Sequence, residues 1–234
     1  HVERCVARNT GAAFSKGDYL HFLDDDDYLL PGAYEALIEE SNDNPAWIQG
    51  GYEFVDDNEV HIDTLMPSSD STLYAKILTG EIFFCIQAAL MERTAFLNSG
   101  GFDPMFITTE DVEIFQRIAF NNEVVSINKV VTRARFHRGG NTLSDWSMHD
   151  EMERMRRENL FEFEGLRKAI TKSLKSNELN EIRGRITRYS FGSAKRNLCR
   201  GRVLKGIDRF NSGLMIALPG IIHSRFWRAL KGKK

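Results

Sequence analysis

The period of the apolar positions changes along this chain. Tyr19 to Leu23 is a short, unbroken aromatic and aliphatic run that stops at four aspartates, which predicts a buried strand with an acidic loop at its C-terminal end. Pro31-Gly32 then predicts a helix over 33–40, with proline supplying a helical φ near the first turn. Trp47 to Val55 predicts a second strand, and the polar, turn-rich stretch from Asp56 to Ser71 an exposed loop. Phe83 to Met91 is the next apolar run, followed by a short helix from Arg93 to Asn98 that Gly100-Gly101 ends. Asp111 to Phe120 reads as a helix with Val112, Phe115, Ile118 and Ala119 on one face, and Val124 to Ile127 and Val130 to Phe136 as two strands. From Asp145 onward the steps are helical only. Met148, Met152, Met155, Phe163, Leu166 and Ile170 recur in this way, and later Val203, Leu204, Ile207, Phe210 and Leu214. Strands alternating with helices, then helices alone, predict an α/β domain over 1–144 and a helical appendage over 145–234.

At about 150 residues per domain, 234 residues fit that division, and 42% hydrophobic with 27% charged residues is ordinary globular composition. The net charge of −2 hides a split. Residues 1–150 hold 25 acids and 10 bases, residues 151–182 seven of each, and residues 183–234 one acid (Asp208) and 14 bases, which is +13 for the last segment. An acidic body with a basic tail points to an anionic partner for the tail. Cys5, Cys85 and Cys199 share no metal-ligand spacing, which argues against a structural zinc site or a disulfide framework and for a reducing compartment. No apolar run approaches the roughly 20 residues of a membrane span.

Asp24, Asp25, Asp26 and Asp27 stand where a strand ends, the place where ligands bind in α/β sheets. Adjacent carboxylates repel one another and favour a divalent cation, and hard oxygen donors suit Mg²⁺ or Mn²⁺. A solvated acidic turn is the other reading of the same four residues. Upstream stand Ala7-Arg8-Asn9-Thr10-Gly11 and Gly17-Asp18-Tyr19; downstream comes the proline-led helix. The whole stretch, ARNTGAAFSKGDYLHFLDDDDYLLPGAYEAL, resembles family-two glycosyltransferases of the GT-A fold, which carry ARNxG, G-(D/E)-Y leading into a strand, and FLDxDD in this order. The resemblance implies a Rossmann-like nucleotide-diphospho-sugar transferase sheet. It also implies that Asp24 and Asp25 face the ribose and diphosphate of the donor, that Asp26 holds the metal, and that Arg8 approaches the nucleotide.

Gly100-Gly101-Phe102-Asp103 is followed by Thr109-Glu110-Asp111 at a helix start. Alone, such a pair is an acidic first turn favoured by the helix dipole. The resemblance, which includes GGFD and the following TED, implies that Asp111 is the general base on the acceptor hydroxyl, with Glu110 as the alternative or as an acceptor-binding group. An alcohol has a pKa far above 7, so its attack on an anomeric carbon needs such a base. Arg133, Arg135, His137 and Arg138 cluster after the last strand, where arginines suit a diphosphate. The family's late R-x-H-x-x-x-x-S stretch implies that His137 completes the metal site or contacts the diphosphate and that Arg135 contacts the donor. No Q-x-x-R-W follows the TED, which separates the chain from processive synthases.

The expectation is an inverting, metal-dependent glycosyltransferase. It takes a nucleotide-diphosphate sugar and a glycan or lipid-linked acceptor, in cytoplasmic synthesis of a cell-surface glycan. A nucleotidyltransferase and a non-catalytic sugar-nucleotide-binding module are the rivals. The family's opening strands would precede His1, so the chain is expected to be the C-terminal part of a longer enzyme. Phe226, Trp227 and Ile221-Ile222 interleave with Arg225, Arg228, Lys231, Lys233 and Lys234, which suits a peripheral helix on the anionic inner face of a membrane. No nucleic-acid recognition motif accompanies the charge.

Overall fold

The computed structural model describes residues 2–67, 73–78, 85–106, 109–135, 167–171 and 178–232. They form two units: one gathers the described residues of 1–69 and 82–155, the other those of 70–81 and 156–234.

The first unit is an α/β sheet. Its elements are α1 (Val2–Phe14), β1 (Tyr19–Leu20), β2 (Tyr28–Leu29), α2 (Ala33–Ile38), β3 (Trp47–Val55), β4 (His61–Leu65), β5 (Ala89–Glu92), α4 (Arg93–Asn98), α5 (Glu110–Asn121) and β6 (Val124–Arg135); α3 (Leu73–Leu78) falls in the second unit. The strands run in the order β1-β5-β3-β6-β2, with β4 also on β3. β3 pairs in parallel with β6 along its length, while its other edge is shared by antiparallel β5 and antiparallel β4. This central position explains its nearly continuous burial, since a strand covered on both faces need not alternate.

Ala33 and Leu37 of α2, Ile48 and Tyr52 of β3, Cys85, Ala88, Leu90, Ile127 and Val131 pack into one core. Phe115 of α5 meets the Trp47 ring edge-on at 4.5 Å, and the expected α5 face (Val112, Phe115, Ile118, Ala119) is buried. Glu92 ends β5 and caps α4, its carboxylate accepting from Thr94 N at 2.9 Å and from Ala95 N.

Several expectations change. The acidic loop is entered by a strand of two residues, not five. The stretch expected as an exposed loop contains β4, hydrogen-bonded to β3 yet exposed at every position, so no burial pattern marks it in the sequence. Asp56 closes the turn of this hairpin, its Oδ1 accepting from Asn58 N and Val60 N, both at 2.9 Å. The two strands expected over 124–136 are one strand with two register shifts against β3, from Gln49↔Ser126 to Gly51↔Val130 and from there to Tyr52↔Thr132. Within the bulge Lys129 Nζ reaches back to Gly32 O at 2.8 Å.

In the second unit α6 (Leu179–Cys199), α7 (Val203–Ala217) and α8 (Ser224–Leu230) pack together. Gly201, at φ +72°, makes the turn between α6 and α7 in a conformation other residues rarely adopt. Phe226 is not an exposed anchor. It is 1% exposed, and its carbonyl lies 2.3 Å from where a Cβ on Gly184 would stand. Trp227 keeps an exposed face and donates through Nε1 to Ile221 O at 2.7 Å. Met148, Met152, Met155, Phe163 and Leu166, expected on helices, lie outside the described residues.

Candidate active site

The site is built outward from one arginine. α1 carries Arg4 and Arg8 one turn apart, so both leave the same side of the helix. Arg8 donates to Asp24 Oδ1 at 2.6 Å and, through its other terminal nitrogen, to Glu110 Oε1 at 3.0 Å. Arg4 reaches the same Glu110 oxygen at 2.7 Å. The Arg8 guanidinium also lies over the Phe102 ring, 5.6 Å from its centroid. Burial by itself would lower the Arg8 pKa, but the Asp24 and Glu110 carboxylates outweigh it and hold the guanidinium above its ordinary value.

The next residue along α1 does a different job. Asn9 Nδ2 donates to Phe102 O at 2.8 Å, and its Oδ1 accepts from Phe102 N at 2.8 Å. This two-bond clasp ties the ARNTG stretch to the GGFD stretch. It needs Gly101, at φ +70°, because a Cβ there would stand 2.6 Å from Asn9 Oδ1. From the opposite side Arg117 of α5 donates to Ser99 O and, at 2.7 Å, to Gly101 O, while Glu113 holds its guanidinium. The GGFD turn is thus held by α1 and α5 together, and it presents Thr109-Glu110-Asp111 at the start of α5.

Glu110 is buried, and burial raises its carboxyl above the ordinary value against the pull of Arg4 and Arg8. Its Oε2 is buried without a hydrogen-bond partner. Asp111 keeps part of its surface open. The surrounding protein, and then the adjacent Glu110 charge, push its carboxyl up to about 7, although Val112 N–H donates to it at 2.7 Å. Two neighbouring carboxyls in a poorly solvated place cannot both ionise cheaply, which leaves Asp111 poised to take or give a proton near neutrality.

Across Arg8 lies the acidic loop. Asp24, Asp26 and Asp27 each bring a carboxylate oxygen into a group within 4.8 Å of one another, while Asp25 is exposed at the turn beside it. Three hard oxygen donors at this separation fit Mg²⁺ or Mn²⁺. Asp24 is oriented from two sides, by Arg8 and by Gln87 Nε2 at 2.7 Å. Gln87 is itself fixed: its Oε1 accepts from Cys85 Sγ at 2.9 Å, and its carbonyl accepts from Thr132 Oγ1 at 2.6 Å and meets His21 Nε2 at 2.8 Å. Asp27 accepts the backbone N–H of Arg135 at 3.0 Å, which ties the loop to the end of β6.

The two arginines near that end are engaged elsewhere. Arg135 grips Glu59 Oε1 at 2.6 and 3.1 Å. Arg133 bonds Glu53 and, at 2.8 Å, the Tyr28 hydroxyl, and lies over the Tyr28 ring. Their guanidiniums face carboxylates of the β3–β4 hairpin, not an open donor pocket. His137 lies outside the described residues.

Of the expected site residues, the structure therefore gathers Arg8, Asp24, Glu110 and Asp111 into one connected site with Asp26 beside it, and sets Asp25 and the Arg135 guanidinium apart from these contacts. Sequence reasoning missed Asn9 as a clasp and Gln87 as the support of Asp24. Gln87 had a signal: an amide inside the apolar run FFCIQAAL must find buried partners. Residues 3–100 match the family model described as Glycosyl transferase family 2. This segment is thus similar to family-two glycosyltransferases. The chain is also 27% identical, over 138 residues, to a protein of Haemophilus influenzae described as "Uncharacterized glycosyltransferase", covering 56% of this chain and 46% of that protein. Its fold is similar to the crystal structure of S. aureus TarS, with a TM-score of 0.50 at 13% identity, over 87% of this chain and 41% of TarS. The chain thus spans about half the length of the curated relative it matches. The α/β fold expected from the motifs holds, and the family match supports the resemblance.

Proposed function

We propose that the protein transfers a sugar from a nucleotide-diphosphate donor to a hydroxyl acceptor with inversion. The observation that carries this reading is the Arg8 bridge, which sets the Asp24–Asp26–Asp27 oxygens beside a Glu110–Asp111 pair whose Asp111 titrates near neutrality. One end of such a site suits a leaving diphosphate and the other an attacking alcohol.

Asp24, Asp26 and Asp27 would hold Mn²⁺ or Mg²⁺, which when bound neutralises charge growing on the leaving diphosphate. Asp111 takes the acceptor hydroxyl proton as that oxygen bonds to the anomeric carbon. The bond from this carbon to the diphosphate oxygen breaks, and the nucleoside diphosphate leaves with the electron pair. Attack from the face opposite the leaving group inverts the configuration. Glu110 Oε2, buried and unpartnered, is suited to accept a second hydroxyl of the acceptor and orient it. Arg8 keeps Asp24 and Glu110 at fixed separation and offsets the charge of both. The family likeness supports a setting in cytoplasmic cell-surface glycan synthesis, and the +13 of residues 183–234 supports contact with an anionic membrane surface. Among the described residues no helix is long and apolar enough to cross a membrane.

The test is transfer by the protein over a panel of nucleotide sugars with Mn²⁺ or Mg²⁺. Product of inverted configuration, lost on chelation and in Asp26→Ala, is expected. Transfer that survives chelation and Asp26→Ala would remove the role given to the acidic loop.

A further inference from the structure

α7 is built inside out. The residues it buries are Gly206, Arg209, Ser212, Gly213 and Ala217. Those it exposes include Val203, Leu204, Ile207, Phe210, Leu214 and Met215, with Leu204 at 85% and Met215 at 70% exposure, and Leu218, at its C-terminal end, is 60% exposed. At 3.6 residues per turn the exposed apolar side chains span an arc of roughly 140°. The polar positions on this side are Asn211 within the arc and Asp208 at its edge.

The buried side explains why α7 does not roll over. Gly206 lies against Leu198 and Ala194 of α6, and Gly213 against Phe191 and Ser190, with a hypothetical Cβ at 2.6 Å from the neighbouring side chain in each case. Only small residues permit this approach of two helices, a mode of packing frequent in lipid. Turning the leucines inward would push the helices apart. Just beyond α7, Ile222 adds an apolar side chain at 88% exposure.

Exposed apolar surface of this extent marks an interaction site, and the surrounding charge says which kind. Arg200 and Arg202 precede α7, and Arg225, Arg228 and Lys231 follow it, all exposed. Asp208 is the only acid in residues 183–234, which sum to +13. Exposed basic residues flanking an apolar stripe in the chain complement anionic headgroups over acyl chains. With 15 residues, α7 is about 22 Å long, too short to cross a bilayer but suited to lie in its surface.

We propose that the outward face of α7, together with Ile222, inserts into an anionic lipid surface. This rests on the reading that the basic segment meets such a surface, and it moves the anchor from Phe226, which the fold buries, to the leucines of α7.

The test is co-sedimentation of the full chain with vesicles of pure phosphatidylcholine and of equal parts phosphatidylcholine and phosphatidylglycerol. The parent chain is compared with Leu204→Gln/Met215→Gln/Leu218→Gln. The substituted side chains are exposed, so the variant is expected to keep the parent's circular dichroism. The expected result is binding to the anionic vesicles, weakened at least tenfold in the variant. Binding of the parent to both vesicle types alike, lost in the variant, supports insertion and overturns the reading from charge. Equal binding of parent and variant to anionic vesicles overturns insertion and leaves charge alone. A parent that binds neither vesicle, and a dimer that the variant converts to monomer, overturns the proposal in favour of an interface between copies.

Discussion

α5 and α7 carry the same kind of apolar periodicity and turn it in opposite directions. In α5, Val112, Ile114, Phe115, Ile118 and Ala119 face inward, where the Trp47 ring waits. In α7, Leu204, Ile207 and Leu214 face outward, and Gly206 and Gly213 face α6. Periodicity shows that a helix has an apolar face. It does not show what covers that face. The neighbour decides: Trp47 of β3 gives α5 an aromatic ring to pack on, while α6 comes so close at Ser190, Phe191, Ala194 and Leu198 that α7 meets it there with glycines.

This contrast can be broken by substitution. Phe115→Ala removes a fully buried ring and should cost about 3–5 kcal/mol of unfolding free energy in urea titration. Leu204→Ala, made in parallel, should change stability by no more than about 0.5 kcal/mol; comparable losses would mean that α7 is covered after all.

The N-terminal end of α5, where the proposed base stands, gives the next largest effect. Asp111→Asn should lower kcat by about 10²-fold or more with donor affinity nearly unchanged, since general-base help is typically about 10²–10⁴. In the parent the rate should rise with pH and level off above about 7, as Asp111 ionises. The sign for stability is the reverse. With a folded pKa raised from 3.8 to about 7, Asp111 lends stability that is fully present below the unfolded value and lost as pH rises through the folded one. Asp111→Asn should therefore be the more stable protein at pH 8, by about 1–2 kcal/mol once partial solvent access is allowed for. A rate that is flat across neutral pH would take the base away from Asp111.

The inner seam of the second unit is sharpened by Gly184→Ala. A methyl there would meet the Phe226 carbonyl and should cost about 1–3 kcal/mol. Gly11→Ala in α1, where nothing stands within 4 Å, should instead stabilise by about 0.5–1 kcal/mol. If both glycines tolerate alanine equally in thermal melts, the close approach of α6 and α8 is not tight.

What could be read from the sequence follows the same logic. β3 was legible over its full range because aromatic and aliphatic residues mark both its ends, and α4 because Gly100-Gly101 ends it. β4 was not, because an edge strand exposed at each position leaves no pattern. The bulge split β6 into two runs, since Asn128-Lys129 interrupts its apolar residues. In the site, the carboxylates were legible by motif. The direction of the arginines was not: Arg135 turns to Glu59, a residue whose nearness depends on a hairpin the sequence hides. Asn9 belongs to a legible motif, but its grip on the Phe102 backbone requires a fold that joins positions 93 residues apart.

Arg8 and Asn9 are neighbours on one helix, and successive residues of a helix differ in heading by roughly 100°. One points to the acidic loop and to Glu110, the other to the Phe102 backbone. α1 therefore works as a gauge block that sets the spacing of the two halves of the site independently of the chain between them. Length can be added at the tip of the β3–β4 hairpin, around Asp57 and Asn58, without altering that spacing. A single residue inserted between Arg8 and Asn9 would misalign both halves at once. The fold thus leaves room for variation in what the hairpin touches while the metric of the reacting groups stays constant.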